Sequence, residues 1–296
     1  MSTSEGEEIP ETHIDKGQPF IQIQRNPILE FREIGEIIRY EFKRIILTQK
    51  FFIALTFVLL PAILYLDASA QEVAIILLDF GREDFITTSA TGYVVLGQFL
   101  MQMVTIMLTL DSFGSEANES MKRYFSLPIR KINIYIGHTI TIGIGTAITG
   151  LFGVLIFDVI LWVWTGIGLT FALIMQAFFL TLMGALVAMA ITTMFVIGAN
   201  FFGLSSTIAI VPTLFLFYII PFVFYFVAQF IYQVGEYQQW TFLYHLAVAT
   251  DFMIIPRNGL QEILPWAANV TAWLVISLTI VISEIIAVVF FIFTDR

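Results

Sequence analysis

The feature that most constrains this 296-residue sequence is an uncharged stretch, with no Asp, Glu, Lys or Arg from Val159 to Gly235. The whole chain is 58% hydrophobic and 12% charged, about half the charge of an ordinary soluble domain. Within lipid the backbone must satisfy its own hydrogen bonds, and a helix does so within one segment. The sequence therefore predicts an all-α integral membrane protein.

The number of crossings follows from the length of each apolar segment, because a helix needs about 20 residues to cross the hydrocarbon. Inside the uncharged stretch the turns are marked by glycines, at Gly166 and Gly168 and again at Gly198 and Gly203. Six transmembrane helices are predicted within a permease domain at 50–296, at residues 51–66, 86–110, 132–164, 169–197, 204–231 and 269–293.

Other segments flank or connect these spans. Residues 1–26 are rich in acids and predict a disordered cytoplasmic tail. Residues 27–49 carry apolar side chains every three or four positions, which predicts an amphipathic helix at the membrane interface. The outer loop at 232–268 contains an apolar stretch too short for a seventh crossing, and it predicts helices lying on the outer leaflet.

The distribution of basic residues predicts the orientation, because cytoplasmic flanks collect Lys and Arg. With six spans both termini lie on one side, and only Arg82 and Arg257 fall in the loops of the opposite side. We therefore expect a multi-pass protein of the plasma membrane with both termini in the cytoplasm.

Catalytic motifs are missing from the sequence. It has no cysteine, its three histidines are scattered, and it contains no HExxH, GxSxG or GxxxxGK[ST] pattern. The formal net charge of -9 does not favour nucleic acid as a partner. We expect no catalytic residues, no metal site and no cofactor, and hence no enzyme activity in this chain.

The inner loop at 111–131 and the start of the third span carry the most specific pattern, DSFGSEANESMKRYFSLPIRKINIYIGH at 111–138. It resembles the permease subunits of ABC-2 type transporters, in which an acid, a small residue with Ser or Thr, and a Leu-Pro-apolar-Ser-Arg run precede the third span. The positions that fit are Glu116, Ser120, Leu127, Pro128, Ile129, Arg130 and Gly137. The amphipathic helix, six spans and helical outer loop match the same plan.

The resemblance implies the membrane-spanning subunit of an ATP-binding cassette transporter, with a bias toward export. A second permease chain, identical or related, and two separate ATPase subunits would complete it, and ATP would be hydrolysed by those partners. The residues expected to couple to the ATPase are Ser115, Glu116, Glu119, Ser120, Lys122, Arg123, Leu127, Pro128 and Arg130.

Elementary geometry agrees with such a coupling element. Residues 115–123 can form about two helical turns with their charges on adjacent ridges, and Pro128 would stop that helix before the membrane. A second interpretation is a solvated loop whose positive charges only fix the topology.

Four polar residues within the spans are candidates for a substrate pathway: Gln98, Gln102, Asp158 and Glu284. Polar side chains within the membrane are energetically costly unless they are paired or hydrated. The alternatives are hydrogen bonds between helices for the glutamines, protonation or a bond to a neighbouring helix for Glu284, and the outer headgroups for Asp158. Two other functions stay open, an ion-coupled secondary transporter using Asp158 and Glu284 and a membrane scaffold without transport. The sequence does not identify a substrate.

Overall fold

The computed structural model describes residues 27–46, 48–57, 81–114, 129–220 and 263–294, with single positions at 60, 63, 124, 223, 245, 246, 248, 249 and 253. Regular structure in these residues is helical throughout, which confirms the all-α prediction for this part of the chain. The described helices are α1 (Pro27–Ile45), α2 (Gln49–Phe57), α3 (Arg82–Phe113), α4 (Lys131–Thr165), α5 (Phe171–Phe201), α6 (Ser206–Ile219) and α7 (Ile263–Phe293).

Four of the described helices are long and apolar enough to cross a membrane. They are α3, α4, α5 and α7, with apolar sections at Phe85–Phe113, Lys131–Thr165, Phe171–Phe201 and Val270–Phe293. These sections coincide with the predicted spans at 86–110, 132–164, 169–197 and 269–293. The chain is therefore a membrane-embedded protein.

The predicted first and fifth spans run beyond the described residues. Helix α2 covers the beginning of the span predicted at 51–66, and α6 covers the beginning of the one at 204–231. The predicted tail at 1–26, and most of the outer loop at 232–268 and of the inner loop at 111–131, also lie outside the described residues. The six-span count stays a prediction.

Helix α5 is the centre of the described bundle, because α3, α4 and α7 all pack against it. In the most apolar 18-residue section of α5, 72% of the residues are buried, compared with 22% in the corresponding section of α7. Small residues such as Gly184, Ala185 and Ala188 are buried on α5 and let its neighbours approach closely. The exposed apolar side chains of α7 are the kind of surface that lipid covers.

Local backbone features explain the end of α4 and the break between α1 and α2. Gly166 follows α4 with a φ of 71°, a conformation that side chains other than glycine rarely adopt. Helix α1 ends at Ile45, short of the boundary predicted at 49, and Thr48 then caps α2 by accepting the N–H of Phe51 at 3.4 Å. A break therefore separates α1 from the first apolar segment.

Candidate functional site

Helix α1 packs against the first turns of α4, and the two backbones approach closely at Gly137. A Cβ atom placed on Gly137 would lie 2.5 Å from Cγ2 of Ile37, a buried residue in the middle of α1. Ordinary side chains cannot meet at that distance, so the approach depends on glycine. The face of α1 that carries Ile37 is therefore directed toward protein.

Polar contacts fasten the same face nearer to the beginning of α4. Arg130 Nη1 lies 2.7 Å from Glu30 Oε1, and Asn133 Nδ2 donates to Glu33 Oε2 at 2.9 Å. Arg130 immediately precedes α4, and it is the predicted coupling residue whose position is described. Its guanidinium thus joins the end of the inner loop to α1.

A buried polar centre, which we call the junction cluster, lies one helical turn beyond Ile37. Its members are Glu41, Arg44, Ser112, Tyr124 and His138. Arg44 donates from Nη2 to Glu41 Oε2 at 2.6 Å and to the carbonyl of Asp111 at 3.3 Å. Tyr124 donates its hydroxyl to Glu41 Oε1 at 3.3 Å. The ion pair of Glu41 and Arg44 therefore connects α1, the end of α3 and a position in the inner loop.

His138 brings α4 into the cluster. Its Nδ1 lies 2.7 Å from Ser112 Oγ, within hydrogen-bond distance, and 3.6 Å from Glu41 Oε2. Both His138 and Glu41 are fully buried. A buried acid is costly unless its lone pairs are satisfied, and the contacts from Arg44 and Tyr124 supply partners.

Burial dominates the electrostatics of Glu41. Removal from water raises the pKa of its carboxyl above the usual value, and the hydrogen bond and charge of Arg44 only partly oppose that rise. The pKa of Tyr124 is also raised, by its own burial and then by the negative charge of Glu41. The proton affinity of the cluster is therefore tied to whether α1 stays packed on the bundle.

Helix α7 is attached to the same end of α4. Lys131 Nζ donates to the carbonyls of Ile292 at 3.1 Å and Thr294 at 2.8 Å, at the end of α7 where the helix dipole favours a cation. Deeper in the bundle, Tyr135 donates its hydroxyl to Glu284. Glu284, a predicted pathway residue, therefore has a partner on a neighbouring helix, and its pathway role stays a prediction.

The predicted pathway glutamines lie between α3 and α5. Gln98 donates from Nε2 to the carbonyl of Leu180 at 3.4 Å, and a Cβ on Gly184 would meet the side chains of both Gln98 and Gln102. Gln102 is fully buried, and neither amide atom has a hydrogen-bond partner among the described residues. The contact of Gln98 matches the helix-bonding alternative, and a role in transport stays a prediction for both.

Asp158 lies at the far end of α4 from the junction cluster. Its Oδ1 accepts the backbone N–H of Leu169 at 2.6 Å, in the connection between α4 and α5. Gly168 leaves room for that carboxylate, because a Cβ there would lie 3.1 Å from Oδ1. Asp158 thus holds the α4–α5 turn, and its proposed place in a pathway stays a prediction.

Most of the predicted coupling residues have no described position. Those outside the described part of the chain are Ser115, Glu116, Glu119, Ser120, Lys122, Arg123, Leu127 and Pro128. Their placement beside an ATPase subunit is therefore a prediction. Tyr124 and Arg130 are described residues of the inner loop that contact α1.

Sequence reasoning missed the junction cluster as a unit. One signal was available, because Glu41 comes four residues after Ile37 and four before Ile45, on the apolar side of an amphipathic helix. An acid in that position needs a buried partner, and Arg44 one turn later supplies it. Ser112 and His138 gave no such signal, because their meeting depends on how α3 and α4 pack.

Comparison with known proteins adds no identification. No family model matches the chain. No curated protein matches it either. Among the described residues, no group of three His, Asp or Glu side chains lies close enough to hold a metal ion. The junction cluster and the sequence pattern of the inner loop are therefore the features that bear on function.

Proposed function

We propose that this chain is the membrane-spanning permease subunit of an ATP-binding cassette transporter of the ABC-2 type, acting as an exporter. It forms a pair with a second permease chain in the plasma membrane, with both termini in the cytoplasm. ATP is hydrolysed by separate ATPase subunits, and this chain turns their closure into alternating exposure of a substrate pathway.

The observation that carries the proposal is the attachment of α1, which is not one of the candidate spans, to the beginning of α4 and the end of α3. Helix α1 is fixed to α4 at Ile37 and Gly137, and through the junction cluster to α3. Tyr124, from the inner loop, contacts both Glu41 and the ring of Tyr40. A displacement of the loop or of α1 by a soluble partner would therefore move α3 and α4 together.

Packing supports the transmission of such a displacement across the bundle. Close-packed interiors shift between discrete arrangements and do not deform continuously. Helix α4 is attached to α7 through Lys131, and α3 packs along the central helix α5. Motion at the inner end of α4 would therefore reach the helices that enclose Gln98 and Gln102.

The proposal predicts an adjacent reading frame that encodes an ATPase with a phosphate-binding loop, and the direct test is co-expression of this chain with that ATPase. The expected result is co-purification and substrate-stimulated ATP turnover in lipid nanodiscs. Reversing two inner-loop charges with Glu116→Lys and Glu119→Lys should lower co-purification at least about tenfold, the effect of placing like charges in a docking interface.

The matched control reverses two acids at the other end of the bundle, Glu83→Lys and Asp84→Lys, and should retain binding and turnover. Equal retention by both double variants would remove the inner loop from its proposed role. Transport that persists without any ATPase would favour the ion-coupled alternative using Asp158 and Glu284. Binding of a partner without substrate-dependent turnover would favour a scaffold.

A further inference from the structure

The charged residues of α1 are divided between two faces. The acids Glu30, Glu33 and Glu41 contact groups from α4, from the inner loop or from α1 itself. Exposed basic residues lie on the opposite side, at Arg32, Arg39 and Lys43. This separation places positive charge outward on a chain whose formal net charge is -9.

The three basic residues form one row, which we call the basic stripe. Their separations of seven and four residues place them within about 40° of one another on a helix with 3.6 residues per turn. Among the described residues, none of the three has an ion-pair partner. Glu36, also exposed, is the acid that lies in the same row. The stripe therefore keeps a net positive charge, because this one acid offsets only one of its three basic residues.

The two flanks of the stripe differ. On one flank Tyr40 contacts the ring of Tyr124, from the loop outside the spans. On the other flank Phe31 is 76% exposed, and the partly buried Phe42 follows it three turns later on the same side. One flank thus faces loop and the other presents an aromatic edge, the arrangement of a helix at the boundary between headgroups and acyl chains.

The depth of α1 agrees with that boundary. Glu30 contacts Arg130, just before the apolar span of α4, and Ile37 contacts Gly137 about two turns inside it. Helix α1 therefore runs beside the first turns of a membrane-spanning helix, which begins at Lys131. A basic row that faces outward beside the end of such a helix can reach the headgroups of an anionic leaflet.

We propose that the basic stripe of α1 binds anionic phospholipid headgroups and that Phe31 enters the adjacent acyl region. Lipid then holds the outer face of α1 while the junction cluster holds its inner face. The proposal requires the membrane-embedded fold and does not depend on an ATPase partner, so it can fail or succeed independently of the proposed transport function.

The test uses the purified full chain in detergent, titrated with phosphatidylglycerol or with phosphatidylcholine, and bound lipid is counted by native mass spectrometry. Each basic residue near an anionic surface contributes about a fivefold preference. The wild type should prefer phosphatidylglycerol by at least about tenfold, and Arg32→Gln, Arg39→Gln and Lys43→Gln together should bring the preference close to parity.

Matched single variants keep the test independent of folding. Arg39→Gln should lower the preference about fivefold, and Arg82→Gln, which removes an exposed arginine at the start of α3, should leave it unchanged. Arg39→Lys should retain it, and Glu36→Gln should strengthen it. Raising the salt concentration should weaken it, because exposed charges are screened over about 8 Å at physiological ionic strength.

Two results would overturn the proposal. One is an unchanged preference for phosphatidylglycerol in Arg39→Gln and in the triple variant. The other is a triple variant that keeps this preference but loses a co-purified ATPase in phosphatidylcholine nanodiscs, which would assign the stripe to a protein partner.

Discussion

The junction at the N-terminal end of α4 and the interface between α3 and α5 hold helices together by different means. At the junction, the buried Glu41 and the partly exposed Arg44 form an ion pair whose contacts reach Asp111 and Tyr124. Along α5, small residues such as Gly184 let helices approach, and Gln102 is buried without a partner among the described residues. The junction is specified by charge, and the central interface by shape.

This difference has a physical cause. Helices already within lipid gain little from burying apolar surface, so close packing and small residues determine their contacts. Helix α1 is not among the helices apolar enough to cross a membrane, and it needs directional contacts to fix its position relative to the spans, because its apolar residues could also rest against lipid. Removing a charged side chain should therefore destabilise the junction, whereas replacing a polar side chain at the central interface should change the stability less.

The largest expected effect follows removal of the junction carboxylate. Glu41→Ala leaves Arg44 without its partner in a partly buried site and should lower the free energy of unfolding by about 3 kcal/mol. The thermal midpoint in detergent should fall, and hydrogen exchange should increase first in α1. Glu36→Ala, an exposed position on the same helix, should change stability by no more than about 0.5 kcal/mol. Equal midpoints for the two variants would contradict a specific role for Glu41.

A second, smaller effect is expected from adding one methyl group at the close approach. Gly137→Ala forces Ile37 and α1 to shift and should cost about 1–3 kcal/mol of stability. Gly143→Ala is the control on the same helix, because its Cβ would meet no atom within 4 Å. That control should be neutral or stabilising by up to about 1 kcal/mol through helix propensity. The close approach would be disproved if both variants unfolded at the same temperature.

The stability that the junction confers should depend on pH, unlike the stability conferred by the uncharged interface between α3 and α5. Burial raises the pKa of Glu41, so the folded protein holds this proton more tightly than the unfolded chain does. This tighter binding stabilises the folded state at pH values below the usual pKa of 4.5, and the stabilisation is lost as the pH rises through the raised pKa. The wild type should lose stability relative to Glu41→Gln over that window, by at most about 1.4 kcal/mol per pH unit. Parallel unfolding curves for the two proteins would refute the assignment.

The smallest effect is expected at the central interface, and its sign should be opposite. Gln102→Leu replaces a buried amide with an apolar side chain of similar size and should be neutral or stabilising by up to about 1 kcal/mol. Gln98→Leu, which removes the donor to Leu180, should lose about 1 kcal/mol in the same thermal assay. A marked loss in Gln102→Leu would show that its amide has a polar partner such as water or substrate.

The membrane helices could be predicted because lipid imposes a long apolar run on each of them. The limits of α3, α5 and α7 extend beyond the predicted spans, to Arg82, Phe201 and Ile263, since a helix continues past the hydrocarbon. The candidate site was less accessible to sequence reasoning. The charges on α1 could be placed around a helical wheel, but which of them contact α4 depends on how the two helices pack. Glu30 and Arg130 are 100 residues apart, and no local pattern connects them.

The most direct test of the central claim asks which side of the membrane α1 occupies. The chain has no native cysteine, so single cysteines can be labelled in intact cells with a membrane-impermeant maleimide. Two exposed positions are suited to this, Glu36→Cys on α1 and Arg82→Cys at the start of α3. We predict labelling at position 82, and labelling at position 36 only after the cells are opened. Labelling at position 36 from outside, with position 82 protected, would place α1 away from any cytoplasmic ATPase and contradict the account.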